Sequence, residues 1–172
     1  PPIYLPANRT FGDEHTMSHS LDHIMKPSSV AVIGASTKPH TIGSDLMKRL
    51  IEFSFKGRIY PVNPKGGMIE GLQAYPSVLD IEGPVDMAVI VVNSKLVLST
   101  IDQCHEKGVK GLVVISAGFK ESGKEGAEME AQLYERVKKY GMRCVGPNCL
   151  GVVNTHPDVR MDACFAESLP VR

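Results

Sequence analysis

Net charge is the first thing this chain lacks: its nineteen basic and nineteen acidic residues cancel. No basic or aromatic-interleaved stripe breaks the balance, which excludes extended nucleic-acid binding, since a polyanion is held by a concentrated basic face. A small-molecule partner is expected instead. Long apolar runs are missing too. None approaches the roughly 20 residues that cross a bilayer, and the first 25 residues contain no basic region followed by an apolar one. No membrane partner is expected, and a cytoplasmic location is. Cys-x-x-Cys pairs are absent as well: Cys104, Cys144, Cys149 and Cys164 stand singly, which reads as four reduced thiols and no bridge framework.

With 42% hydrophobic and 22% charged residues, the 172-residue chain has the make-up of one globular domain with ends. Its organising stretch starts at Ser29. Val30, Ala31, Val32 and Ile33 form a short apolar run ended by Gly34, the pattern of a strand buried on both faces of a parallel sheet. Beyond Ala35, Ser36 and Pro39, the residues Ile42, Leu46 and Leu50 recur at a spacing of four, which predicts an amphipathic helix over about 41 to 54. A helix start offers unpaired N–H groups and a positive dipole end. A turn of Gly, Ala and Ser lets a phosphate approach them, so anion binding is the leading expectation here.

The same rhythm runs on. Arg58 to Pro64 predicts a second strand ending in a Pro-Lys-Gly-Gly turn, Gly71 to Tyr75 a short segment, and Ser77 to Ile81 one helical turn. Asp86 to Val92 is the strongest buried strand. A helix over 95 to 107 follows, with Val97, Ile101 and Cys104 inward and Gly108 as its stop. Gly111 to Ile115 reads as a fourth strand, and 124 to 140 as a charged helix with Met129, Leu133 and Val137 on one face. Met142 to Val145 is the fifth strand. The fold class expected is α/β: a doubly wound, mainly parallel Rossmann-like sheet with helices on both faces and its ligand beyond the strands' carboxyl ends.

The ends are plainer. Residues 1 to 20 read as an extended or mobile leader, and Leu21 to Met25 as a short helix stopped by Pro27. His15, His19 and His23, with Glu14 or Asp22, would line one side of a helix as metal ligands. Nothing enforces a helix before Ser18, so no metal site is expected.

The ligand is narrowed by two departures. A nicotinamide-binding turn carries Gly-x-Gly-x-x-Gly and ends the second strand in an acid that bonds the ribose hydroxyls. Here the glycine after Gly34 is Gly43, and the second strand runs out as Val62-Asn63-Pro64-Lys65. A cation at that point prefers a phosphate on the adenosine ribose, which fits CoA and also NADP.

Four motifs in order then carry a resemblance: Pro27-Ser-Ser-Val-Ala-Val-Ile-Gly-Ala-Ser36, Val62-Asn-Pro-Lys65, Ile115-Ser-Ala-Gly-Phe119 and Val145-Gly-Pro-Asn-Cys-Leu-Gly151. Over about residues 21 to 168 the chain resembles the CoA-binding domain of nucleoside-diphosphate-forming acyl-CoA synthetases. Relatives are ADP-forming acetate CoA ligase and the succinyl-CoA synthetase alpha subunit. The resemblance implies that Gly34, Ala35, Ser36, Lys38, Pro39 and His40 hold the CoA phosphates, and that Asn63, Pro64 and Lys65 flank the adenosine phosphate. It implies that Ser116, Ala117, Gly118 and Phe119 line the pantetheine path, and that Pro147, Asn148 and Cys149 lie near the thiol.

No catalytic residue is expected in this stretch, because no His is placed to activate Cys149 and His156 reads as surface. The resemblance further implies a second domain with a phosphorylatable histidine and an ATP-grasp domain using ATP or ADP and magnesium. The remaining synthetase domains or subunit would be partners, and this stretch alone would be inactive. Residues 21 to 155 would form the CoA-binding domain and 156 to 172 a linker. Two rivals stand beside this reading: an NAD(P)-binding oxidoreductase or redox sensor, and the CoA-sensing region of a lysine acetyltransferase.

Overall fold

The computed structural model describes residues 21–166; the expected leader, with His15 and His19, lies outside them. In chain order come α1 (Asp22–Met25), β1 (Ser29–Ile33), α2 (Ile42–Glu52), β2 (Arg58–Val62), the hairpin strands β3 (Met68–Ile69) and β4 (Leu72–Gln73), and β5 (Met87–Ile90). Then follow α3 (Ser94–Lys107), β6 (Gly111–Val114), α4 (Lys124–Lys139), β7 (Arg143–Val145), β8 (Gly151–Asn154) and β9 (Met161–Cys164). The expected turn after Ser77 is a 3₁₀ turn over Val78–Asp80, closed by a capping box between Ser77 and Asp80.

Five strands form one parallel sheet in the order β2-β1-β5-β6-β7. The chain works outwards from β1 to β2, returns past β1 to β5 and then proceeds to β7. The order therefore reverses between β1 and β5, and the crevice beyond their carboxyl ends is the switch point where doubly wound folds take ligands. Because side chains alternate along a strand, β1 sends Val30 and Val32 to one face and Ala31 and Ile33 to the other. Both sets are buried, so the expected two-sided strand is what forms.

On one face Val97, Ile101, Cys104 and Leu133 of α3 and α4 close over Ala31, Ala88, Ile90, Leu112 and Val114. On the other, Ile24 of α1 and Leu46, Met47 and Leu50 of α2 cover Val30, Val32, Met87, Val89 and Val113. The same cluster takes in Met161 and Ala163 of β9. The segment expected as a linker thus contains a buried strand. β9 pairs antiparallel with β8, and Asp162, at 0% exposure, meets Arg49 of α2 at 3.1 Å. Nothing local in Met161-Asp-Ala-Cys164 announces this, because the partner that makes a buried aspartate tolerable lies 113 residues away.

Candidate functional site

The turn after β1 is shaped by two glycines. Gly34 has φ +101°, and a side chain there would bring its Cβ within 2.7 Å of the Val91 carbonyl beyond β5. Gly43, in the first turn of α2, would meet the Gly34 carbonyl oxygen at 2.1 Å. The helix start is thereby seated directly on the strand end. Thr41 caps α2, its Oγ1 accepting from the Ser44 N–H at 3.3 Å while its hydroxyl donates to the Lys38 carbonyl at 2.8 Å. Ser36 Oγ accepts from the Lys38 N–H at 3.0 Å. Lys38, Pro39 and His40 are exposed, and His40 takes φ +59°. Ala35 is buried beneath them.

β2 stops at Val62 rather than Pro64 because the next side chain redirects the backbone. Asn63 Oδ1 accepts from the Lys65 N–H at 2.9 Å, an Asx turn, while its Nδ2 donates to the Ala35 carbonyl at 2.8 Å. Asn63 is therefore the strap between the first and second loops. Pro64 and Lys65 project into solvent, and neither the Lys38 nor the Lys65 ammonium has an ion pair among the described residues.

The other half of the crevice is tied in the same manner. Ser116, nearly buried, donates its hydroxyl to the Val92 carbonyl at 2.6 Å, joining the loops after β6 and β5. The Asn148 N–H donates to the Ser116 carbonyl at 3.1 Å, joining the loops after β7 and β6. Ala117 is exposed, whereas Phe119 is fully buried in the core, so its side chain does not line the pantetheine path as the resemblance implied. Pro147 follows a cis peptide bond, and the exposed Asn148 has φ +53°. The Cys149 thiol donates to the Val114 carbonyl at 3.3 Å.

Burial pushes the Cys149 thiol up from its ordinary value and the neighbouring Cys144 thiol to about 12. Neither is poised as a thiolate nucleophile. His156 is exposed, and its Nδ1 accepts from the Asp158 N–H at 3.3 Å. No group of three His, Cys, Asp or Glu side chains could hold a metal ion among the described residues. No helix described is long and apolar enough to cross a membrane.

The five loops at the carboxyl ends of the strands thus form one connected rim: β2 to β1 through Asn63, β1 to β5 through Gly34 and Val91, β5 to β6 through Ser116, and β6 to β7 through Asn148. A family model described as a CoA binding domain matches residues 28–155, the span that holds this rim. The chain belongs to that family of CoA-binding domains. It is 54% identical over 150 residues to the alpha subunit of acetate–CoA ligase [ADP-forming] I of Pyrococcus furiosus, covering 85% of this chain and 32% of that one. It is 42% identical to the 4-hydroxybutyrate–CoA ligase [ADP-forming] of Nitrosopumilus maritimus, covering 86% of this chain and 21% of that one. Among solved structures, the dinucleotide forming acetyl-coenzyme A synthetase 1 of Korarchaeum cryptofilum, in complex with phosphate and ADP, superposes with a TM-score of 0.79 at 44% identity, covering 84% of this chain and 30% of that one. The chain spans about a third or less of these relatives' length.

Within this CoA-binding domain, two contributors to the rim escape a reading of the sequence. Gly43 looks like an ordinary helix residue until its approach to Gly34 is seen. Glu121 is the other: its carboxylate accepts from the N–H groups of Gly118 and Phe119 at 2.6 and 3.1 Å. An acid two residues after Gly-Phe, ahead of a helix start, is the only signal it leaves.

Proposed function

We propose that this chain is the CoA-binding module of an NDP-forming acyl-CoA ligase, with ADP the nucleotide named for the relatives above. The observation that carries the reading is the end of β2, where Lys65 stands in place of the acid of a nicotinamide site and Asn63 straps its loop to the Gly34–Thr41 turn. The phosphates of CoA lie over Gly34 to His40, against the start of α2. Lys65 meets the 3′-phosphate of the adenosine, as a flexible point charge suits a phosphate. The pantetheine arm passes Ser116 to Gly118 and delivers its thiol beside Pro147, Asn148 and Cys149. In the complete ligase that thiol attacks the carbonyl of an acyl phosphate and phosphate leaves; run in the other direction, acyl-CoA, phosphate and NDP give carboxylate, CoA and NTP. The phosphohistidine, ATP or ADP, and magnesium belong to the remaining domains or subunit. This chain's residues bind and orient CoA and carry no catalytic group.

Thermal unfolding with CoA, dephospho-CoA and NADH at equal concentrations tests this. CoA is expected to raise Tm most, since a ligand that binds only the native state stabilises it by about 2.7 kcal/mol at a hundredfold excess over Kd. Dephospho-CoA is expected to raise it less and NADH not at all. Stabilisation by NADH without CoA would return the nicotinamide reading, which the ligase names of the relatives leave without support.

A further inference from the structure

The loop Ser116–Phe119 ends in a run of backbone N–H groups that are already taken, and by anions. Glu121 Oε1 accepts from Gly118 and Phe119, and Glu130 Oε2 accepts from the Lys120 N–H at 3.2 Å. Glu121 is exposed and makes no salt bridge among the described residues. What holds its carboxylate is this set of backbone donors, and they draw its pKa below the ordinary carboxylate value. Successive N–H groups turned towards one point make a concavity that accepts negative charge. Left open, this one would compete with the Gly34–Thr41 turn for the phosphates of a ligand.

We propose that Glu121 is the positioning and specificity residue of this loop: its carboxylate fills the N–H concavity at Gly118 and Phe119, so that the loop offers a fixed, anion-refusing edge to a neutral, extended amide arm. The proposal rests on the CoA reading, because the neutral arm is the pantetheine of CoA. It divides the labour along the rim. The loop after β1 has Lys38 and a helix start and takes phosphate; the loop after β6 has its donors capped and takes the uncharged part. Ser116 supports the division from beneath, its hydroxyl locked on Val92 and its carbonyl on the Asn148 N–H.

The test titrates CoA and adenosine 3′,5′-bisphosphate, which keeps the adenosine end and lacks pantetheine, into the parent chain, Glu121→Ala and Glu121→Gln. Glu121→Ala is expected to weaken CoA about tenfold, as for loss of one or two charge-assisted hydrogen bonds, while the bisphosphate changes less than about twofold. Glu121→Gln, which keeps an acceptor oxygen in place, is expected to recover most of the loss. Undiminished binding of the bisphosphate to Glu121→Ala also shows that the variant is folded. Equal weakening of both ligands, or no change in either, would overturn the proposal. A parent chain that binds neither ligand would instead overturn the CoA reading beneath it.

Discussion

The two faces of the sheet are closed by different chemistry. Under α3 and α4 the seal is apolar, and its polar ties are superficial: Arg136 Nε meets Asp102 Oδ1 at 3.1 Å with the two side chains 31% and 43% exposed, and the Tyr140 hydroxyl donates to the same oxygen at 2.8 Å. On the opposite face the tie is inside. Asp162 of β9 has no exposure, binds Arg49 at 3.1 Å and accepts from the Cys164 N–H at 3.3 Å, while Arg49 also donates to the Ala166 carbonyl. The difference is one of dependence. An exposed pair contributes between about 0.2 and 1 kcal/mol, because water and salt already satisfy both charges. A buried pair adds little net stability over an apolar substitute, yet losing one partner strands the other charge and costs about 3 to 5 kcal/mol.

Breaking the buried tie should therefore show the largest effect. Asp162→Ala is expected to lose about 3 to 5 kcal/mol in urea unfolding. Since α2 carries both Arg49 and the helix start proposed for the CoA phosphates, CoA affinity should fall with it. A loss below about 1 kcal/mol would place this face with the other one. A second comparison uses pH. Burial lifts the Cys104 thiol, on the α3 and α4 face, from 9.0 to about 12. The folded-state pKa is the higher one, so the stability gained by keeping this thiol protonated is complete below pH 9.0 and drains away as pH approaches 12. The urea midpoint should fall through that window, and Cys104→Ala should make the fall shallower; parallel curves for the two proteins would contradict the assignment. The smallest effect is expected at the surface. Asp102→Ala should cost about 1 kcal/mol or less and become smaller still in high salt.

The same contrast sets how much was legible in the sequence. β1, β5 and β6 are unbroken apolar runs and α2 to α4 keep one face at helical spacing, so the five-stranded sheet and its covering helices followed from periodicity. The hairpin of β8 and β9 did not, because Met161-Asp-Ala-Cys164 places an acid in mid-strand and its charge partner, Arg49, lies 113 residues away. At the rim, Gly34 was readable from its place after β1. Asn63 was readable as a position, but its strap to the Ala35 carbonyl joins two loops that sequence separates by 28 residues. Phe119 shows the opposite failure: a motif groups it with surface neighbours, and packing carries its ring inside.

CoA is proposed to lie along the connected rim at the carboxyl ends of the strands. Backbone amide spectra recorded during a CoA titration test it most directly. Shifts are expected at Gly34 to His40, Asn63 to Lys65, Ser116 to Phe119 and Asn148 to Cys149, with Lys65 moving less for dephospho-CoA. Shifts gathered instead at the groove of about 490 Å³ bounded by Leu50, Ile51, Phe55 and Leu72, with the rim still, would contradict it.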